Sequence, residues 1–326
     1  MRLITFHDGH EARIGAWTDG DRQIVDLARA AAAKGLSTGV FASMQDLIES
    51  GAQGLGLART LVEDRPAQAM RPTTSVRLLS PVPRPIQMRD ALAFELHLRQ
   101  AKRASARLRL RNHPQAEDQF NMLESAGTLE PPPVWFRQPL YYKCNRLTVI
   151  GDGEPVQWPH YSQVLDYELE LGIFIGKTGR DIPAAQAREH IFGYTIYNDV
   201  SARDTQADEM AGMLGPAKGK DFDTGNIIGP CIVTADEVSE PYALEMVARV
   251  NGVEWSRGNS ATMYHRFEDI IAHVSASETL HAGEFIGSGT VGNGCGFELG
   301  RYPAAGDLVE LEIQGIGRLS NRFGMA

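Results

Sequence analysis

Cysteine is scarce in this chain, and the few that occur lack the spacing of a metal or disulfide motif. The 326 residues include three cysteines, Cys144, Cys231 and Cys295, which lie far apart and form no Cys-x-x-Cys pair. This pattern excludes a disulfide-stapled miniprotein and gives no support to a thiolate zinc site. A reducing compartment suits such cysteines best, so we expect a cytoplasmic protein.

Long apolar runs and an excess of positive charge are also missing. No apolar stretch approaches the ~18–20 residues that a membrane helix requires. Charges interrupt the first residues, where a secretory signal would be apolar. The formal net charge of −9 argues against a general nucleic-acid binder. The composition, 43% hydrophobic and 22% charged, excludes a largely disordered chain.

Residues 1–78 have the pattern of a small N-terminal α/β domain. Short alternating segments are separated by the turn signal at 19–21, and helix signals follow, with Gly35 as a stop and Ser43 as an N-cap. Three prolines at 81–85 cannot continue a helix or a central strand, so we place a domain boundary there.

Residues 79–326 are expected to form a second, larger domain. The stretch 88–112 contains no glycine or proline and predicts one helix. From residue 134 onward, alternating and β-branched segments predict mostly strands, with helices near 183–193 and 266–278. The predicted fold class is therefore α+β, mainly β.

The sharpest local pattern is an acidic strand. Asp166, Glu168 and Glu170 alternate with apolar residues, so on one continuous strand they share a face. The strand runs on into an apolar segment and should be buried, where neighbouring carboxylates need a cation. Mg²⁺ or Mn²⁺ is the simplest one, because both prefer oxygen ligands. The alternative is an antiparallel strand whose polar face meets water.

Two further acidic points strengthen the metal hypothesis. Asp199 ends a predicted strand, with Arg203 and Gln206 close behind it, although Asp199 would also suit a helix N-cap. Asp90 and His97 are seven residues apart. On the predicted helix 88–112 they would share one face, where a carboxylate ligand and a general base could cooperate.

These segments together are similar to the fumarylacetoacetate hydrolase family over nearly the whole chain. The resemblance is carried by DYELELGIFIGKTGRDIP, YTIYNDVSARDTQ, KGKDFDTGNIIGP and TLHAGEFIGSGTVGNG, in that order. It implies a mixed, distorted β-roll catalytic domain over 79–326 that is usually dimeric and holds Mg²⁺ or Mn²⁺.

The resemblance also implies roles for individual residues. The implied metal ligands are Asp90, Glu168, Glu170 and Asp199. The implied water-activating base is His97, paired with Glu298. The residues that would polarise and contact the substrate are Arg203, Gln206, Lys220 and Thr290, whereas Lys218 is expected in solvent. Leu92 and Met210 stand where some of the family's hydrolases have substrate-binding tyrosines.

The expected activity is hydrolysis of a carbon–carbon bond in a 1,3-diketo acid, an acylpyruvate or a fumarylacetoacetate-like compound. The metal would stabilise the enolate, and the His–Glu pair would activate water. Alternatives within the family are an oxaloacetate-type decarboxylase and a 2-oxo-acid hydratase or tautomerase. A non-catalytic ligand binder or scaffold is disfavoured, because buried carboxylates without a cation are destabilising. The expected partners are a small anionic keto acid and a second copy of the chain, with no nucleic acid or membrane.

An arginine-rich segment follows His97. Six basic residues and no acid occur over 99–111. The simplest interpretation is a solvated helix face; the functional one is a lid over 99–133 that attracts an anionic substrate. RNA binding is a distant third, because no stacking aromatics are interleaved.

Overall fold

The computed structural model describes residues 1–324. The strands β1 to β20 are Arg2–His7, Ala12–Thr18, Gln23–Asp26, Met70–Pro72, Arg77–Leu79, Met88–Ala91, Tyr141–Lys143, Val149–Ile150, Leu165–Asp166, Leu169–Ile175, Gly179–Arg180, Ile191–Asp199, Ser201–Ala202, Asn226–Thr234, Glu245–Val250, Val253–Asn259, Thr279–Leu280, Phe285–Gly287, Leu308–Ile313 and Gly317–Arg322. The helices α1 to α10 are Leu27–Ala33, Met44–Glu49, Gly51–Asp64, Glu95–Leu110, Ala116–Ser125, Pro133–Arg137, Ala184–Ala187, Arg203–Ala211, Phe267–Ser275 and Gly296–Leu299.

A mixed sheet of 12 strands organises the molecule and positions the site. Its main order is β4-β3-β2-β1-β14-β12-β10-β18-β6-β7, with β5 beside β1 and β8 beside β14. A second sheet, β16-β15-β19-β20, packs with it around one large apolar core. Strands β10, β12 and β14 are buried along their whole length, which explains their near-continuous apolar sequences. The arrangement confirms the predicted α+β class.

The N-terminal residues contribute strands to this same sheet. Strand β1 pairs with β2 and, on its other side, with β14 of the larger segment. The turn at 19–21 joins β2 to β3, and helix α1 ends just before Gly35. At the start of α2, the Ser43 hydroxyl accepts a hydrogen bond from the Asp46 amide. These local signals are confirmed, while the domain division at residues 78 and 79 stays a prediction.

The single helix expected over 88–112 is wrong over its first seven residues, 88–94. Residues 88–91 form strand β6, which lies between β18 and β7, and helix α4 begins only at Glu95. All four residues of β6 are buried. Pairing on both edges satisfies the backbone of this segment, and tertiary contacts of that kind override local helix propensity. Asp90 and His97 therefore do not share a helix face.

Helix α4 carries the arginine-rich segment. Arg99 pairs with Glu95 and Glu130, and Arg103 pairs with Glu124 and Glu130. These carboxylates lie on α4 itself, on α5 and in the turn after it, so much of the positive charge is locally neutralised. A lid role for 99–133 stays a prediction. Among the described helices, none has both the length and the apolar character needed to cross a bilayer.

Candidate active site

Three carboxylates from strands of the 12-stranded sheet meet in the interior. Asp90 on β6, Glu170 on β10 and Asp199 on β12 each place an oxygen within 4.8 Å of the others. Their exposed fractions are 6%, 0% and 1%. Antiparallel pairing of β10 with β12 sets Glu170 beside the end of β12, so the sheet register itself brings Asp199 to Glu170. We call these three residues the carboxylate cluster.

A glycine makes the cluster sterically feasible. Strand β18 lies between β10 and β6, and its Gly287 is the register partner of Asp90. A Cβ at Gly287 would stand 2.5 Å from Asp90 Oδ1 and 3.0 Å from Glu170 Oε2. Because Gly287 has no side chain, the two carboxylates can approach each other across β18. The Gly289 amide then donates to both, at 3.1 and 3.0 Å.

The cluster carries more negative charge than its surroundings balance. Burial, followed by the Asp199 charge, raises the pKa of Asp90 to about 8. Burial and the charges of Asp90 and Asp199 raise the pKa of Glu170 well above its ordinary value. Burial also raises the pKa of Asp199. The interior therefore favours either protons or a cation on these groups.

The donor set fits a hard divalent cation. Asp199 Oδ2 accepts from Tyr142 and Lys220, but Asp199 Oδ1 is buried without a hydrogen-bond partner among the described residues. Buried polar atoms are almost always paired, so this orphan oxygen points to a missing partner. Oxygen-only ligands at this spacing suit Mg²⁺ or Mn²⁺.

Glu168 lies beside the cluster but bonds to cations of the chain. Its Oε1 is 2.8 Å from Arg203, and its Oε2 accepts from Lys220 at 2.7 Å. Although burial opposes ionisation, Lys220 and Arg203 hold the pKa of Glu168 below its ordinary value. Glu168 as a metal ligand stays a prediction, since both of its oxygens are already paired.

Lys220 links Glu168 to the carboxylate cluster. Its ammonium group donates to Glu168 Oε2, Asp199 Oδ2 and the Asp199 carbonyl, at 2.7, 2.6 and 3.2 Å. Burial works against its charge, yet Asp199 and Glu168 raise the pKa of Lys220 above its ordinary value. The Lys220 ammonium group is therefore paired with two carboxylates and a carbonyl, and Lys220 does not line the cleft described below.

The other predicted substrate-contacting residues lie around this core. Arg203 donates to Asp166 at 2.9 Å and to Gln206 Oε1 at 3.0 Å, which fixes both side chains relative to Glu168. The Thr290 hydroxyl donates to Glu170 at 3.4 Å and is buried. Thr290 therefore touches the carboxylate cluster from the β18 side.

The structure places His97 beside Glu298, the residue with which the resemblance pairs it. His97 Nδ1 lies 3.2 Å from Glu298 Oε1, although the alignment falls short of a hydrogen bond. The Glu298 carboxylate is held by the amides of Asn293 and Cys295, both at 3.1 Å. Two backbone donors thus fix the group that faces the imidazole.

A cleft of about 420 Å³ opens onto one end of this arrangement. Four predicted site residues line it: His97, Glu168, Arg203 and Gln206. The rest of the wall comes from α4, α5 and the turn that follows it, α8, Leu92 and Phe297. A small molecule in the cleft would meet an imidazole, a carboxylate and a guanidinium together.

Sequence reasoning did not foresee the contacts of two residues that shape the site. Tyr142 on β7 donates to Asp199 at 2.6 Å, and nothing in its local sequence indicates that contact. Asp166 was expected on one face with Glu168 and Glu170, but the strand is interrupted between β9 and β10. Asp166 accepts from Arg203 and from the Gly296 and Phe297 amides instead. It orients Arg203.

The charge imbalance predicts a pH-dependent stability when divalent metal is absent. Because the folded-state pKa of Asp90 lies near 8 instead of its ordinary 3.8, the native state binds the extra proton between those values. Stability should then fall as pH rises through this window. With EDTA, we expect a lower melting temperature at about pH 8.5 than at about pH 5.5, and Mg²⁺ should reduce the difference.

The matched variants are Asp90→Asn and Asp223→Asn. Asp90→Asn removes a titrating group of the cluster and should shrink the pH effect, whereas Asp223 is exposed and its variant should behave like the wild type. An equal pH effect in all three proteins would show that the cluster does not control it.

Comparison with known sequences finds a matching family model and several relatives. Residues 110–324 match the family model described as fumarylacetoacetate (FAA) hydrolase C-terminal. Oxaloacetate tautomerase YisK of Bacillus subtilis is 36% identical over 188 residues, 57% of this chain and 61% of the relative. The human mitochondrial oxaloacetate tautomerase FAHD2A is 36% identical over 187 residues, 57% of this chain and 59% of the relative. The chain thus matches about three fifths of the length of these relatives.

Solved structures extend the likeness to the whole chain. A fumarylacetoacetate hydrolase from Exiguobacterium antarcticum is 27% identical, with full coverage of both chains and a TM-score of 0.74. A maleylpyruvate hydrolase from Sphingobium sp. SYK-6, solved with manganese(II) and pyruvate, is 24% identical over 99% of this chain and 98% of its own. Its TM-score is 0.71, so it shares the fold.

Proposed function

The chain belongs to the fumarylacetoacetate hydrolase family, and on that premise we propose that it hydrolyses a carbon–carbon bond in a 1,3-diketo acid such as an acylpyruvate. The observation that carries the proposal is the His97–Glu298 pair, whose imidazole lines the same cleft as Glu168, Arg203 and Gln206. A base held beside such a cleft suits the activation of water.

The reaction depends on a divalent ion held by the carboxylate cluster, with Glu168 as the fourth predicted ligand. Asp90, Glu170 and Asp199 offer oxygen donors within 4.8 Å, and Asp199 Oδ1 lacks any other partner among residues 1–324. When bound, Mg²⁺ or Mn²⁺ supplies Lewis-acid polarisation of the substrate's oxygens.

His97 is the proposed general base. It takes a proton from water, and the Glu298 carboxylate, anchored by two backbone amides, lies 3.2 Å from its Nδ1. The hydroxide adds to the distal carbonyl carbon, and the bond from that carbon to the central CH₂ then breaks. The products are a carboxylic acid and pyruvate, and the central carbon gains the proton that water supplied.

Arg203 and Gln206 would stabilise negative charge on the reacting oxygens. Both line the cleft, and their mutual hydrogen bond together with Asp166 keeps them in place. Loss of one such donor typically lowers the rate by ~10²-fold or more. Lys220 and Thr290 act indirectly, because they donate hydrogen bonds to Asp199 and Glu170 of the carboxylate cluster.

A second candidate is oxaloacetate tautomerisation. Its support is the 36% identity to two proteins named as oxaloacetate tautomerases. The same residues could move a proton between carbon and oxygen without adding water, so His97 serves either reaction. A decarboxylase remains the other alternative, and it would not need the His–Glu pair. Homodimer assembly and a cytoplasmic location stay predictions.

A direct assay separates these activities. With Mg²⁺, we expect acetylpyruvate to yield pyruvate and acetate in equal amounts, and EDTA should lower the rate by about 10²-fold or more because the transition-state charge loses its cation. Oxaloacetate is tested in parallel for interconversion of its enol and keto forms and for CO₂ release. Rapid tautomerisation with no pyruvate from acetylpyruvate would replace the hydrolase proposal with the second candidate.

A further inference from the structure

The cleft has two chemically different parts. Its catalytic end presents His97, Glu168, Arg203 and Gln206, whereas much of the remaining wall is apolar. The large apolar side chains there are Leu92, Leu98, Leu123, Leu129, Met210 and Phe297. Leu98, Leu129 and Phe297 are themselves buried, so they form a fixed wall. We call these six residues the apolar wall.

Two cations, Lys102 and Arg109, also border this part of the cleft, but neither is buried. The Lys102 ammonium donates to the carbonyl of Glu130, and burial is the main cause that lowers its pKa. Arg109 is exposed and also borders a neighbouring surface depression that contains Asp204 and Asp208. A carboxylate against the apolar wall would lose its hydration without a buried cation to replace it.

We propose that the apolar wall is a binding subsite for an uncharged, apolar acyl tail, an inference that rests on the proposed diketo-acid function. The 2-oxo-acid end of the substrate lies at the polar residues, and the tail that is released as a carboxylic acid lies against Leu98, Leu129 and Met210. The preferred substrates are acylpyruvates with alkyl or aryl tails, and a tail that ends in a second carboxylate is disfavoured.

The test is the dependence of kcat/KM on tail length, measured with acetylpyruvate, longer straight-chain acylpyruvates and succinylpyruvate. Each added methylene that is fully buried should raise kcat/KM by about fourfold until the wall is covered. Succinylpyruvate should be a poorer substrate than the alkyl analogue of equal length. Equal values across the series, or a preference for succinylpyruvate, would overturn the subsite.

A matched pair of variants assigns the effect to the wall. Met210 is half exposed, so Met210→Ser should fold, and it should lower the ratio of long-tail to short-tail kcat/KM by several fold. Met122→Ser makes the same change at an exposed methionine of α5 that does not line the cleft, and its ratio should equal that of the wild type. Equal ratios in all three proteins would count against the subsite.

Binding of simple 2-oxo acids separates this inference from the reaction. Calorimetric titration with 2-oxooctanoate and its ω-carboxylated analogue, with Mg²⁺ present, requires no turnover. Tighter binding of 2-oxooctanoate, weakened in Met210→Ser, supports the subsite even when no acylpyruvate is cleaved, a result that would refute only the hydrolase. Tighter binding of the dicarboxylate refutes the subsite and leaves the hydrolase standing.

Discussion

Replacing His97 with alanine should lower kcat for acetylpyruvate by about 10²–10⁴-fold, the range that general-base catalysis contributes. The imidazole lines the cleft, and Glu298 lies 3.2 Å from its Nδ1, so its removal leaves water without a base. Mg²⁺ affinity, measured by calorimetry, should be unchanged. His97 lies on α4 and is not a member of the carboxylate cluster.

Two further variants test whether the effect is specific to His97. His160→Ala changes an exposed histidine and should keep wild-type turnover. Glu298→Gln keeps the size of the side chain but removes its charge, so it should lower kcat less than His97→Ala does and leave Mg²⁺ binding intact. Normal turnover in His97→Ala would show that the base has been wrongly assigned.

The sequence indicated candidate residues for this site more readily than it indicated the strands and contacts that position them. Glu170 and Asp199 could be found from the strand patterns around them, because alternation and buried apolar runs are local signals. Asp90 was singled out by its spacing to His97 on a predicted helix and then by the resemblance, but its element was wrong, since β6 exists through pairing with β18 and β7, which lie far away in the chain. Contacts between segments that are far apart in the chain leave no periodic pattern in the local sequence.

The same reasoning explains why the partners of the predicted residues could not be foreseen. Glu168 and Lys220 are 52 positions apart, and their hydrogen bond depends on how the loop before β14 returns to the sheet. The attachment of β1 to β14 is equally non-local. Composition showed an acidic chain, but only the fold shows that several acids share one buried volume with Lys220 and Arg203.

Because these charges share one buried volume, we expect a large loss of stability when Lys220 is replaced. Lys220→Met should lower the free energy of unfolding by about 3–5 kcal/mol in EDTA, the usual consequence of removing one partner from a buried ion pair. Methionine keeps most of the side-chain length, so the loss arises from charge rather than from a cavity. Glu168 would keep Arg203, but Asp199 would lose its cation, with the Tyr142 hydroxyl as its remaining side-chain donor.

The chain provides its own control two residues away, in the same glycine-flanked loop. Lys218 is exposed; its ammonium donates to the carbonyl of Asp221 at 3.4 Å and lies 5.5 Å from the centre of the Tyr161 ring, so Lys218→Met should change stability by about 0.5 kcal/mol or less. Denaturant unfolding with and without Mg²⁺ compares the two variants. If charge is the cause, Mg²⁺ should restore part of the stability lost in Lys220→Met, because a second cation then neutralises the same carboxylates. Equal stability of the two variants would mean that Lys220 does not balance the buried acids, and the electrostatic basis for a metal at this site would fail with it.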